Sequence, residues 1–213
     1  MDGTTAIAKD GMTQSKTERK KLMNNLQFIF ETEARTAIKR DGLEELLKFL
    51  HAETDFYTAP ASTKYHGAEE SGLVKHSLAV LENFWKVAPC FGYEATESNK
   101  ESAAIACLFH DLCKANFYKV SYRNVKDDET GTWYKAPYYT VDESLPYGSH
   151  GAKSVFLVMS YMLLTAEEAM AIHHHMGAYG KSSYEDCGKA YASSKLAWLA
   201  HVADEAAAYV DNT

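Results

Sequence analysis

A chain of 213 residues with 46 % hydrophobic composition can bury one sizeable core, so a single domain is the expectation. Its 22 basic side chains against 29 acidic ones leave a net charge of −7. That is the opposite of the positive footprint with which duplex-binding proteins neutralise phosphates, so duplex DNA is not expected as a partner.

A small phosphorylated or nucleotide-like substrate, or a short single-stranded nucleic acid, stays compatible with this field, because a metal and one or two local cations can hold a phosphate. No stretch approaches the roughly 18 apolar residues of a spanning helix, and MDGTTAIAKDGMTQ at the start has no apolar run of signal-peptide length. No membrane partner and a cytoplasmic location are therefore expected. Cys90, Cys107, Cys113 and Cys187 form no CxxC pair and read as reduced thiols.

In chain order, residues 1–20 are polar and weakly patterned, as in a flexible tail, and residues 21–213 form the single domain. Leu22, Leu26, Ile29 and Phe30 recur at helical spacing between residues 21 and 38, and Leu43, Leu46, Leu47 and Leu50 repeat the pattern after Asp41-Gly42. Residues 54–71 read as a loop. A third helix starts near Gly72 with the stripe Leu73, Leu78, Val80, Leu81, Phe84, and carries His76 in its first turns. A fourth, rich in alanine, is expected over 99–114 and contains His110-Asp111. Aromatic and β-branched residues on both sides of DDETG predict a β-hairpin inserted around 117–140. Helical patterns resume over 150–163, 165–176 and 191–210. The fold class is thus mostly α, a helical bundle with a small β-hairpin insertion.

Histidines and aspartates inside apolar helices need partners, and a divalent cation serves when several converge. A lone histidine on such a helix is more often a hydrogen-bonded core residue, which is the reading for His51. An imidazole and a carboxylate side by side in LFHDL are harder to place as core. His201 lies one turn before Asp204 and either supports a ligand or is one.

The ordered set of His76 in GLVKHSLAV, His110-Asp111 in ACLFHDLCK, His150 in LPYGSHG, the HHHMG segment and Asp204 in HVADEAAA resembles the HD-domain superfamily of metal-dependent phosphohydrolases, in its binuclear, multi-histidine branch. The resemblance covers roughly residues 60–210. It implies two divalent transition metal ions, of Mn, Fe, Co, Ni or Zn, since mixed nitrogen and carboxylate ligands suit these and not calcium. His76, His110, Asp111 and Asp204 would hold one, and His150 with one histidine of 173–175 the other, Asp111 bridging. Neighbours on a helix are turned by about 100°, so the three cannot all face inward. The position before Met-Gly selects His175, with His174 as the alternative. Ser71-Gly72 stands where relatives often have two glycines.

The same resemblance makes Asp111 and Lys114 the catalytic pair, with Lys114, one turn after His-Asp, also binding substrate phosphate. Tyr65-His66-Gly67 resembles a loop of exoribonuclease-like relatives and makes His66 a substrate-side candidate. Tyr118, Tyr122 or Trp133 of the hairpin could stack on a base or sugar, and Arg123 and Lys126 could add phosphate contacts. The expected activity is hydrolysis of a phosphomonoester or phosphodiester of a nucleotide-like substrate by a metal-activated water. The alternatives are a di-iron oxygenase of the same fold and a non-catalytic nucleotide-binding regulatory module.

Overall fold

A computed structural model of the protein describes residues 16–63, 66–141, 149–180 and 183–213. The tail up to residue 15, Tyr65 of the histidine-bearing loop and residues 145–148 of LPYGSHG lie outside the described residues. Among those described, eight α-helices and one two-stranded antiparallel sheet form a mostly α fold with a small β insertion.

The helices are α1 (Lys16–Ala37), α2 (Leu43–Glu53), α3 (Gly72–Val87), α4 (Glu97–Phe109), α5 (His150–Met159), α6 (Ala166–His174), α7 (Tyr184–Ser193) and α8 (Lys195–Ala206); β1 (Tyr118–Lys126) and β2 (Trp133–Val141) lie between α4 and α5.

Several boundaries differ from the sequence expectation for local reasons. Helix α1 starts at Lys16, inside the stretch expected to be a tail. Its buried row is Phe30, Ala34 and Ile38, spaced four apart, whereas Leu22 and Ile29 remain more than a third exposed. The helix expected over 99–114 stops at Phe109, because Asp111 leaves the helical region at φ −103, ψ 20 and a short 3-10 turn, Leu112–Lys114, follows. The expected 191–210 helix is two: Ser194 is extended (φ −139, ψ 117), ends α7 and caps α8 by accepting from Ala197 N–H. Helix α5 ends at Met159, short of 163. Helix α6 starts behind a capping box in which Thr165 and Glu168 each accept the other's backbone N–H.

The core forms where these helices meet. Phe30 of α1 lies edge-on to Phe56, Tyr57 and Phe109, with ring centroids 5.1, 5.9 and 5.8 Å away. Leu46, Leu50, Leu73, Ile105, Leu108 and Ile172 are fully buried around them. Helix α8 packs on both α3 and α6 through Ala197, Ala200 and Ala203, all buried, and such small side chains let the helix axes approach closely. The four cysteines are free, Cys90 exposed and the other three buried.

One ion network ties α4 and α6 to the segment after α1. Glu168, fully buried, accepts from Arg40 Nη1 at 2.5 Å and Nη2 at 3.0 Å, from Ser102 Oγ at 2.7 Å and from Thr165 N–H at 2.8 Å. Burial raises the Glu168 carboxyl, but the hydrogen bonds from Arg40, Thr165 and Ser102 outweigh it and hold the group below the ordinary glutamate value. The Glu168→Gln substitution leaves Arg40 with Glu101, 3.2 Å from its Nη2, as its one remaining carboxylate among the described residues. We expect urea unfolding at neutral pH to show a loss on the order of 3 kcal/mol. A carboxyl with a depressed folded pKa stabilises above its unfolded value and loses that contribution as pH falls through the folded one. The difference between wild type and variant should therefore close in acid, and equal stability at neutral pH would contradict the network's role.

Candidate metal centre

Each side chain of the centre arrives by a separate local device. Helix α3 delivers His76 one turn from its start. That start is fixed by tight backbone contact: a Cβ on Gly72 would meet Gly67 O at 2.0 Å, and Ser71 sits in the left-handed region at φ 62. His110 and His175 are both C-cap residues, of α4 and α6, with nearly the same backbone angles (φ −55, ψ −39 and φ −54, ψ −40).

Both use the same bond. His110 Nδ1 donates to Cys107 O at 2.8 Å and His175 Nδ1 to Ile172 O at 2.7 Å, in each case three residues back. The imidazole thus satisfies a carbonyl that the helix end leaves without an intrahelical donor, and its tautomer is fixed with Nε2 unprotonated in the neutral ring. His76 Nδ1 likewise faces a backbone oxygen, that of Thr213, at 3.0 Å. Helix α8 brings Asp204.

Three Nε2 atoms and two carboxylates therefore converge. His76 Nε2 lies 3.2 Å from His110 Nε2 and 3.0 Å from Asp204 Oδ1. Asp111 Oδ2 lies 3.4 Å from His110 Nε2 and 3.8 Å from His76 Nε2, while its other oxygen, Oδ1, lies 3.4 Å from His175 Nε2. Two groups have ligand atoms all within 4.8 Å of one another: His76, His110 and Asp204, and His110, Asp111 and His175. The three histidines are each 1 % exposed and Asp111 2 %.

In the neutral rings these are all acceptors, and His175 Nε2 is buried without any hydrogen-bond partner. Acceptor facing acceptor at 3.2 Å is unfavourable unless positive charge lies between them. Lys114, 2.5 Å from Asp111 Oδ2, gives one positive charge against two carboxylates. The net negative charge that remains and the inward-facing lone pairs favour a cation, and nitrogen with carboxylate donors is the set that first-row transition ions take. The residues present fit such an ion.

The titration behaviour has the same origin. Burial raises Asp111, but the charges of Lys114 and His110 bring it well below the ordinary carboxylate range. Asp204 is lowered too, burial being outweighed by His76 and His110. His110 is lowered by burial but raised more by Asp111, and ends above the ordinary imidazole value. His76 goes the other way, since burial outweighs Asp204.

The remaining candidates fall at varied distances from this cluster. His150 opens α5 with Nδ1 3.5 Å from Cys113 Sγ and its ring edge-on to Phe117, near enough for Asp111 to act on its charge but outside both ligand groups. His173 and His174 do not join the cluster; they line a surface groove with Ser149, Asp186 and Lys189. His66 places its ring 5.0 Å from that of His76, and burial together with His76 pushes it down to about 4, so it is neutral near pH 7. Tyr118 donates from its hydroxyl to Ala61 O at 3.0 Å. Arg123 lies over Tyr138, 5.6 Å from the ring centroid, and Trp133 is 69 % exposed at the far end of the hairpin. His51 meets Gln27 at 2.9 Å, away from the centre.

Sequence reasoning missed the clamp behind His175. His201 Nδ1 donates to His175 O at 2.6 Å and Tyr191 hydroxyl to His174 O at 2.7 Å, with the two rings stacked at 5.2 Å. Gly177, at φ 54, passes beside them where a Cβ would lie 3.0 Å from His201 Cε1. The spacing of His201 from Asp204 hinted at support, but Tyr191 carried no signal, because the expected 191–210 helix made it a first residue, where the structure puts it near the end of a separate helix, α7. No family model, curated protein or solved structure matches the chain.

In the His201→Phe variant the stack is kept and the donor to His175 O is lost. We expect competition titration with Mn or Zn to show affinity weakened roughly 10- to 100-fold at one site, with His201→Asn, which keeps a donor in that place, restoring most of it. Equal affinity in His201→Phe would remove the clamp from the metal chemistry.

Proposed function

We propose that the chain is a metal-dependent phosphohydrolase of the HD-domain kind, cleaving a phosphomonoester or phosphodiester of a nucleotide-like substrate. The observation that carries this is the meeting of three imidazole Nε2 atoms, the buried carboxylate of Asp111 and the partly buried one of Asp204 beside one buried lysine. His76, His110 and Asp204 would hold one ion. Asp111 offers its second oxygen toward His175 and so reaches toward a second. Bound ions of this kind acidify a coordinated water and polarise phosphoryl oxygens.

The chain's own residues divide the remaining work. Lys114 Nζ lies 2.5 Å from Asp111 Oδ2. With a metal held by Asp111, the Lys114 ammonium would be free to meet a phosphate oxygen. The 3-10 turn that carries Lys114 is braced from α5, where Ser154 Oγ accepts from Cys113 N–H at 3.0 Å and Lys153 Nζ donates to Cys113 O at 2.5 Å. A buried cation next to these groups favours an anionic substrate.

The test is a panel of phosphoesters, nucleotides, cyclic nucleotides and short single strands with Mn, Co and Ni, run beside an oxygen-uptake assay. Phosphate or nucleotide release is expected. Asp111→Asn should abolish it, and Lys114→Met should lower kcat about 10²- to 10³-fold. Undiminished release in Asp111→Asn, or oxygen uptake in place of release, would overturn the reading.

A further inference from the structure

The hairpin has two unlike faces, and register assigns each residue to one of them. Lys126 pairs with Trp133, Asn124 with Lys135, Tyr122 with Pro137 and Val120 with Tyr139, and directly paired residues share a face. One face therefore shows Val120, Tyr122, Lys126, Trp133 and Lys135, with Tyr122 64 % and Trp133 69 % exposed. The other face carries Arg123 over Tyr138 and the buried Ala136. The two strands contain Lys119, Arg123, Lys126 and Lys135 and no acidic residue, against Asp127, Asp128 and Glu129 in the turn that joins them, so the hairpin is net positive in a chain of net charge −7. Neither their composition nor the exposed rings serve the core.

Distances then restrict the ligand. Tyr118 is anchored at the base by Ala61 O, close enough to Lys114 for that charge to act on it. At about 3.3 Å per residue, Tyr122 stands about 13 Å and the Lys126–Trp133 pair about 27 Å along the strand from Tyr118. A mononucleotide held at Lys114 does not span that length. Rings about 13 Å apart with lysines beside them suit a chain of separated bases joined by phosphates, and a duplex keeps its bases stacked inside.

We propose that this outward face binds single-stranded nucleic acid, with bases stacking on Tyr122 and Trp133 and phosphates meeting Lys126 and Lys135. Delivery of the strand to the metal centre rests on the phosphohydrolase reading above; the binding does not.

The test uses the full chain in EDTA and fluorescence anisotropy with labelled 12-nucleotide RNA and DNA of one sequence, and the matching duplex. Binding of either single strand in preference to the duplex is expected. Tyr122→Ala and Trp133→Ala should each weaken it by roughly 5- to 150-fold, Trp133→Phe should retain most of it, and Lys126→Glu with Lys135→Glu should flatten its salt dependence. Unchanged thermal midpoints would show that the variants fold. Equal affinity for the duplex, no single-strand binding, or binding indifferent to the alanine variants would overturn the proposal, as would a change of oligomeric state in those variants without loss of strand binding. Single-strand binding lost in the alanine variants, in a protein without metal-dependent turnover, would uphold this proposal and refute the phosphohydrolase reading.

Discussion

Buried acceptors facing one another require a positive charge between them, and the centre of this protein is organised by that requirement. Asp111 is its focus: one oxygen is shared by His76, His110 and Lys114 and the other faces His175. Taking two carboxylates out of water costs several kcal/mol per ion when uncompensated. One ammonium offsets half of that charge. The remainder favours positive charge at the cluster, as in the imidazolium proton that Asp111 favours on His110.

Two of the inward-facing imidazoles, His110 and His175, are placed at helix ends by one and the same local device. A helix C-terminus leaves carbonyls without donors and carries partial negative charge. At His110 and His175 the ring nitrogen that cannot serve as a ligand donates to one such carbonyl, so a single bond caps the helix, sets the tautomer and orients Nε2 inward. The negative ends of α4 and α6 thereby face the place where a cation is favoured. Alanines on α8 let Asp204 approach the same point, and the stacked Tyr191 and His201 hold the end of α6 from the far side.

The hairpin follows a different logic from the helices. It leaves α4 just past Lys114, is anchored at Tyr118, and extends aromatic and cationic side chains that contribute nothing to the core. The inward-facing imidazoles and carboxylates sit among helix ends, whereas the exposed aromatic and cationic side chains are on an insertion. Tyr118 and Trp133, alike in the sequence as hairpin aromatics, belong to opposite ends of this insertion, one bonded at its base and one in solvent.

Much of this was legible without coordinates. Periodicity located most helices, DDETG between aromatic strands located the hairpin, and the apolar setting of His76, His110, Asp111 and Asp204 identified them as side chains in need of partners. Those features are local, set by spacing of three to four or of two residues along the chain. The ends of α4 and α7 were not legible, since both depend on one residue, Asp111 or Ser194, leaving the helical region under tertiary constraint. Which face of the hairpin each aromatic takes, and that Tyr191 and His201 stack behind His175, were likewise decided only when helices distant in sequence packed, whereas the position before Met-Gly already selects His175 among the three consecutive histidines. A one-dimensional pattern shows that a polar group will be buried; the direction in which its lone pair points is set by the neighbours that bury it.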